Sequence, residues 1–179
     1  GVGCAGGVDV TASKSYSPQS TPENTIGYQI SVKGLQGGHS GMEIHLGLAN
    51  ANKIMNRILV ATNQYCFVSS ILGGSLRNAI PRESNAQIVV VNESKFMTAF
   101  EKIKADLLDE YHPIESQMIV SLEKLQKVPE TIISFECQHT FLKAVAGAHN
   151  GVFRMSPAIN DLVETSNNVA KIILDKGLI

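Results

Sequence analysis

The segment from Ile26 to Arg57, IGYQISVK followed by GLQGGHSGMEIHLGLANANKIMNR, most constrains what this chain can fold into. Ile26, Tyr28, Ile30 and Val32 alternate with Gln29, Ser31 and Lys33, the two-residue period of a strand with one buried face. A strand that buries one face and wets the other belongs in an antiparallel sheet. Gly37, Gly38 and Gly41 then supply a turn whose backbone angles and close approaches a Cβ would forbid. The spacing predicts that a long amphipathic helix starts near Met42. Leu48, Ala51, Met55, Ile58, Leu59 and Thr62 line its apolar face, with Asn50, Asn52, Lys53, Asn56 and Arg57 largely opposite. On this reading His39 and Ser40 sit on a thin loop at a helix N-terminus, where free N–H groups and the helix dipole favour an anion. Such a loop can hold a carboxylate or a developing oxyanion. It is not by itself a catalytic machine.

The flanking sequence sets the fold class. A loose alternation predicts a first strand over 8–15, and Pro18 and Pro22 mark a loop over 17–24. A strand over 67–72 closes at Gly73-Gly74. Pro81 keeps the next segment out of regular pairing, and a further strand covers 85–92. Ser94 fits an N-cap, Phe96, Phe100, Ile103 and Leu107 form the stripe of a second helix, and Pro113 stops it. A strand over 117–125 completes the order β-α-β-β-α-β. That is the ferredoxin-like arrangement: an α+β domain whose antiparallel sheet carries its helices on one face. A third helix over 134–149, with Asn150-Gly151 at its end, a loop, and a strand over 168–174 are additions.

With 179 residues, 44% of them apolar, the chain can build one domain with a real core. It has no Trp and few aromatics, so that core rests on Ile, Val and Leu. A formal charge of -1 argues against a nucleic-acid or anionic-membrane surface. No apolar run approaches the roughly 20 residues of a membrane span. Cys4, Cys66 and Cys137 have no CxxC spacing and read as reduced, mostly buried thiols of a cytosolic protein. The chain begins without Met, and residues 175–179 form only the start of a hairpin. Both features read as a single-domain piece, 1–179, of a longer protein, truncated at both ends.

Five histidines are present: His39, His45, His112, His139 and His149. None falls in an HExxH or His-x-Asp pattern, and no Glu-Glu pair accompanies them, so the expectation is that this chain binds no catalytic metal. His45 reads as a surface or helix-packing residue. His39 is the one histidine on a glycine loop, where a plain turn residue and a functional donor are both open. Asn78, in GGSLRNAIPRES, can cap its own turn or face a ligand. Arg77 and Arg154 are surface arginines or candidate carboxylate clamps, because a guanidinium fork fits a carboxylate bidentately.

The glycine stretch resembles the lid segment of the aminoacyl-histidine dipeptidases, the peptidase D family within the carnosinase-like two-metal peptidases. The resemblance continues in GCAGGVDVTA at 3–12, GGSLRNAIPRES at 73–84, GVFRMSP at 151–157 and LVETSNN at 162–168, collinear over nearly the whole chain. It implies a lid and dimerisation domain of an enzyme that hydrolyses Xaa-His dipeptides through a metal-activated water. Two divalent metals, zinc by the resemblance, and the general base would come from a catalytic domain absent here, so this chain itself carries no cofactor and is inert alone. The resemblance makes His39 the residue that reaches across a homodimer to stabilise the tetrahedral oxyanion, and Asn78 the one whose amide meets the dipeptide substrate. The family's carboxylate-binding arginine falls beyond Ile179, so only part of the lid's contribution is expected here. The competing reading is a non-enzymatic ferredoxin-like module for self-association or small-ligand regulation. The lid of a related carboxypeptidase or deacylase fits less well, because the insert from about 115 to 161 is long.

Overall fold

The computed structural model describes residues 6–179, so Cys4 and the start of the GCAGGVDVTA stretch lie outside the described residues. The elements run β1 (Gln19–Ser20), β2 (Ile26–Lys33), β3 (Gly38–His39), a 3-10 turn (Ile44–Leu46), α1 (Ala51–Thr62), β4 (Cys66–Gly73), β5 (Ala79–Ile80) and β6 (Ser84–Val90). They continue with α2 (Glu93–Tyr111), β7 (Ile119–Lys124), β8 (Thr131–Ile132), α3 (Phe135–Gly147), β9 (Gly151–Met155), β10 (Val163–Asn167) and β11 (Ile172–Leu174). Among the described residues no helix is long and apolar enough to cross a membrane.

The main sheet has the order β11-β4-β6-β2-β7, and every neighbouring pair is antiparallel. Without β11 this is the four-strand order of a ferredoxin-like fold: the first strand, β2, lies between the third and fourth, and β4 lies outside the third. The expected α+β architecture is therefore present, with β11 added beside β4. Alternation along β2 decides which face is covered. Tyr28, Ile30 and Val32 are buried in the core with Ile54, Ile58, Phe96 and Phe100 from the helices. Tyr28 stacks on Phe96 and Phe96 on Phe100, with ring centroids 6.1 and 5.8 Å apart, so the aromatic minority has a structural role beside Ile, Val and Leu. The Tyr28 hydroxyl donates to the Glu93 carboxylate at 2.5 Å, fastening β2 to the start of α2. That bond, with burial, raises the Tyr28 pKa above the ordinary tyrosine value.

Several expectations are corrected. No strand forms over 8–15; Val8 and Val10 are 88% and 87% exposed, and only Ser15 forms a bridge, to Leu178. A short run of alternating valines without a burying partner cannot hold a strand. Helix α1 begins at Ala51 rather than near Met42, because Gly47 takes a left-handed φ of +68° and ends the 3-10 turn. Asn50, not a residue of the glycine turn, caps α1, its side chain accepting from the N–H groups of Asn52 and Lys53. Asn92 rather than Ser94 caps α2, accepting from Lys95. A hairpin, β9–β10, occupies most of the expected loop after α3. The expected strand over 168–174 is reduced to Ile172–Leu174.

The asparagines expected on the solvent face of α1 are instead buried: Asn50, Asn52 and Asn56 are 3%, 1% and 5% exposed. Asn50 donates to Asn150 at 2.8 Å, with the Asn168 side chain and the Val169 carbonyl each at 3.2 Å, and Asn52 donates to Val169 at 3.1 Å. The segment between β10 and β11 is thus laid along the start of α1. Lys53 reaches the carbonyls of Val145, Ala146 and Ala148 at 2.7–3.0 Å, placing an ammonium on the open end of α3. Cys66 is a free, buried thiol whose pKa burial pushes up to about 12, while Cys137 is free and half-buried.

Phe96 is fully buried in the centre of the aromatic ladder. Phe96→Ala should cost about 3–5 kcal/mol, the transfer loss plus the cavity left behind. Urea unfolding should show the midpoint falling at constant slope.

Candidate functional site

The glycine turn does not stand at a helix N-terminus. It is one side of a short ribbon outside the main sheet, in which β3 pairs antiparallel with β5, Gly38 opposite Ile80 and His39 opposite Ala79. The Ser40 N–H also donates to the carbonyl of Asn78 at 2.9 Å. His39 and Asn78, some 40 positions apart in sequence, therefore stand on adjoining chain segments, and both are exposed. Gly37 makes the approach possible: its φ is +60°, and a Cβ there would strike the Arg82 side chain.

Inside the turn the bonds are local. The His39 N–H donates to the Glu43 carboxylate at 2.6 Å, and the N–H of Glu43 donates to the His39 carbonyl at 2.8 Å. The Gly41 N–H donates to Nδ1 of His39 at 3.0 Å. That last bond settles the chemistry of the ring. In a neutral imidazole one nitrogen accepts and the other donates, so with Nδ1 accepting, Nε2 carries the proton. His39 is arranged as an Nε2–H donor. The anion-favouring helix terminus expected beside it lies at Asn50, where the α1 N–H groups of Asn52 and Lys53 are already taken.

The arginines are differently placed. Arg77 is exposed and pairs with Asp9 at 2.8 Å. Arg154 lies on β9, which packs against the 3-10 turn that follows the ribbon, and its Nε pairs with Glu164 on β10 at 2.7 Å. Exposed pairs of this kind contribute little to stability, about 0–1 kcal/mol, but each occupies a fork that could otherwise take a ligand carboxylate. Arg82 was missed by the sequence reading. Its stem crosses Gly37 and it makes no salt bridge among the described residues. Of the four arginines it is the one without a carboxylate partner among the described residues. GGSLRNAIPRES offers two arginines, and only the fold distinguishes the paired from the unpaired one. His45 is exposed in the 3-10 turn. Among the described residues no three His, Cys, Asp or Glu side chains come together as a metal site.

A family model described as a peptidase dimerisation domain matches residues 30–115, from Ile30 of β2 into the connection that follows α2. The cytosol non-specific dipeptidase of Escherichia coli K12 is 35% identical over 97% of this chain. Over residues 30–115 the chain is similar to the peptidase dimerisation domain family. An aminoacylhistidine dipeptidase from Vibrio alginolyticus of known structure superposes with a TM-score of 0.87 over 93% of the chain at 33% identity. The chain spans about a third of the length of each of these relatives, 36% and 34%. The match to the Vibrio structure continues past the family model, so the dimerisation domain's additions, α3, the β9–β10 hairpin and β11, largely fall within the shared fold.

The Gly41 contact predicts that neutral His39 exists chiefly as the Nε2–H tautomer. Long-range 15N–1H correlation spectra should show an unprotonated Nδ1 and a protonated Nε2. A dominant Nδ1–H form would contradict the geometry.

Proposed function

We propose that this domain is the lid and dimerisation element of a homodimeric, cytoplasmic, metal-dependent dipeptidase that hydrolyses Xaa-His dipeptides. The carrying observation is the relation to two dipeptidases along nearly the whole chain, one named for the cytosol and one for aminoacylhistidine substrates. Two divalent metals, zinc by the family resemblance, and the general base belong to the remainder of the parent protein. The described residues offer no convergent ligand set.

In this reading His39 presents Nε2–H to the oxygen that gains charge as the scissile carbonyl becomes tetrahedral. A fixed donor aimed at developing charge lowers the barrier because it need not reorganise during the reaction. The Gly41 bond to Nδ1 supports it by holding the donor tautomer. Asn78 stands beside His39 and offers an amide to the substrate backbone. Arg77 and Arg154 are the proposed carboxylate clamps, each of which must first release Asp9 or Glu164 to engage a substrate. Reaching a partner's cleft suits a residue carried on an exposed ribbon outside the sheet.

In the full-length protein His39→Ala should lower kcat for an Xaa-His dipeptide by about 10²–10³ with a much smaller change in KM. Metal content should not change. If His39 acts across the dimer, mixing His39→Ala subunits with subunits lacking the catalytic carboxylate should restore activity, because each heterodimer holds one intact composite site. Wild-type kcat in His39→Ala, or dead mixtures after demonstrated subunit exchange, would end this reading.

A further inference from the structure

Glu115 lies in the connection between α2 and β7 and is 2% exposed. Its carboxylate faces no cation among the described residues. Oε2 accepts the N–H of Gln36 at 2.9 Å, and Oε1 accepts the N–H of Ala49 at 3.0 Å. Those two residues are the legs of the excursion that leaves β2, carries His39 and returns to cap α1. The Gln36 side chain donates to the Ile114 carbonyl, and Gly34, at φ +79°, leaves no room for a Cβ against the Gln117 carbonyl. The root of the excursion is therefore pressed onto the Glu115 connection. Glu115 itself is held, its N–H on the Tyr111 carbonyl at 2.7 Å and its carbonyl accepting from Met118 at 2.9 Å.

Between the legs, the polar bonds of residues 37–48 are local or run to the 78–80 segment. Burying a carboxylate is costly unless hydrogen bonds replace its water, and two backbone donors do that here. A neutral amide could not. Gln has one acceptor oxygen and one NH2, so one of the two backbone N–H groups would meet another donor. A carboxylate of this length offers one oxygen to each leg.

We propose that Glu115 is a positioning residue for His39: a buried two-point clamp that fixes both legs of the turn and so sets where the Nε2–H donor stands. The kinetic part rests on the reading of His39 as the oxyanion donor; the mechanical part does not. Glu115 touches neither substrate nor His39, and it acts through the backbone of the excursion.

The test uses the full-length protein with Glu115→Gln, and Glu115→Asp as the second variant should the first fail to fold. Aspartate keeps the charge but is one methylene too short to reach both N–H groups. Hydrogen exchange read by mass spectrometry should accelerate about ten-fold or more in peptides covering 36–49, with β6 unchanged. Kinetically, Glu115→Gln should lower kcat more than KM, as His39→Ala does. The double variant should be no slower than His39→Ala alone, since a clamp has nothing left to position. Unaltered exchange at 36–49 in a folded variant overturns the clamp whatever the kinetics. Additive losses of kcat in the double variant overturn the positioning role, since a general loss of stability would add. Wild-type kcat in His39→Ala overturns the reading of His39 and with it the kinetic part, while accelerated exchange in Glu115→Gln still upholds the clamp.

Discussion

Backbone groups that leave a helix or strand inside a protein must find partners, and this fold meets that demand with buried and half-buried polar side chains. Asn50 takes the first N–H groups of α1 while its amide holds the segment before β11. Lys53 covers the last carbonyls of α3. Gln138 of α3 accepts the Val68 N–H at 2.6 Å and donates to the Cys66 carbonyl at 3.1 Å, beside the irregular register that β4 shows between Val68 and Ser70. Glu115 serves the two legs of the glycine turn. Each of these residues joins elements far apart in sequence, so the core keeps its shape at the places where regular pairing stops.

What could be read from the sequence divides along the same line. The alternation in β2, the stripe of α2 and the order of elements all express local period and short-range sterics, and they were enough for the ferredoxin-like sheet. The late start of α1 was not legible, because residues 42–50 have helical spacing but are held by Glu43, Gly47 and Glu115 in another form. The buried asparagines look like a solvent face until partners a hundred positions away are known. At the site, GGHSG announced a thin accessible turn. That Asn78 adjoins it follows from a two-residue pairing with β5, which carries no periodic signal. The commitment of Arg77 and Arg154 to nearby carboxylates is likewise a product of folding.

The molecule separates rigidity from exposure. The sheet and its covering helices hold most of the fully buried side chains, while His39, Asn78, Arg77 and Arg82 are exposed on a ribbon anchored by the buried Ile80. A ribbon of this kind can be remodelled by a partner or substrate without loss of the fold. The left-handed Gly37 and the Gly41 contact to Nδ1 still restrict it, so the neutral histidine is presented as one tautomer on a backbone with few alternatives.

The outer strand β11 has a consequence for how the chain comes together in time. Ile172 pairs opposite Gly73, a separation of about 100 residues, whereas β4 and β6 meet across a short connection. On a ribosome, β2, β4, β6 and β7 emerge and can pair well before β11 is made. For that interval the margin of β4, with Leu72 and its unpaired peptide groups, is open to any passing strand. Crowded synthesis of the protein is therefore most hazardous at one seam, and the asparagines that fasten the incoming segment to α1 shorten the exposure by giving β11 a prepared berth.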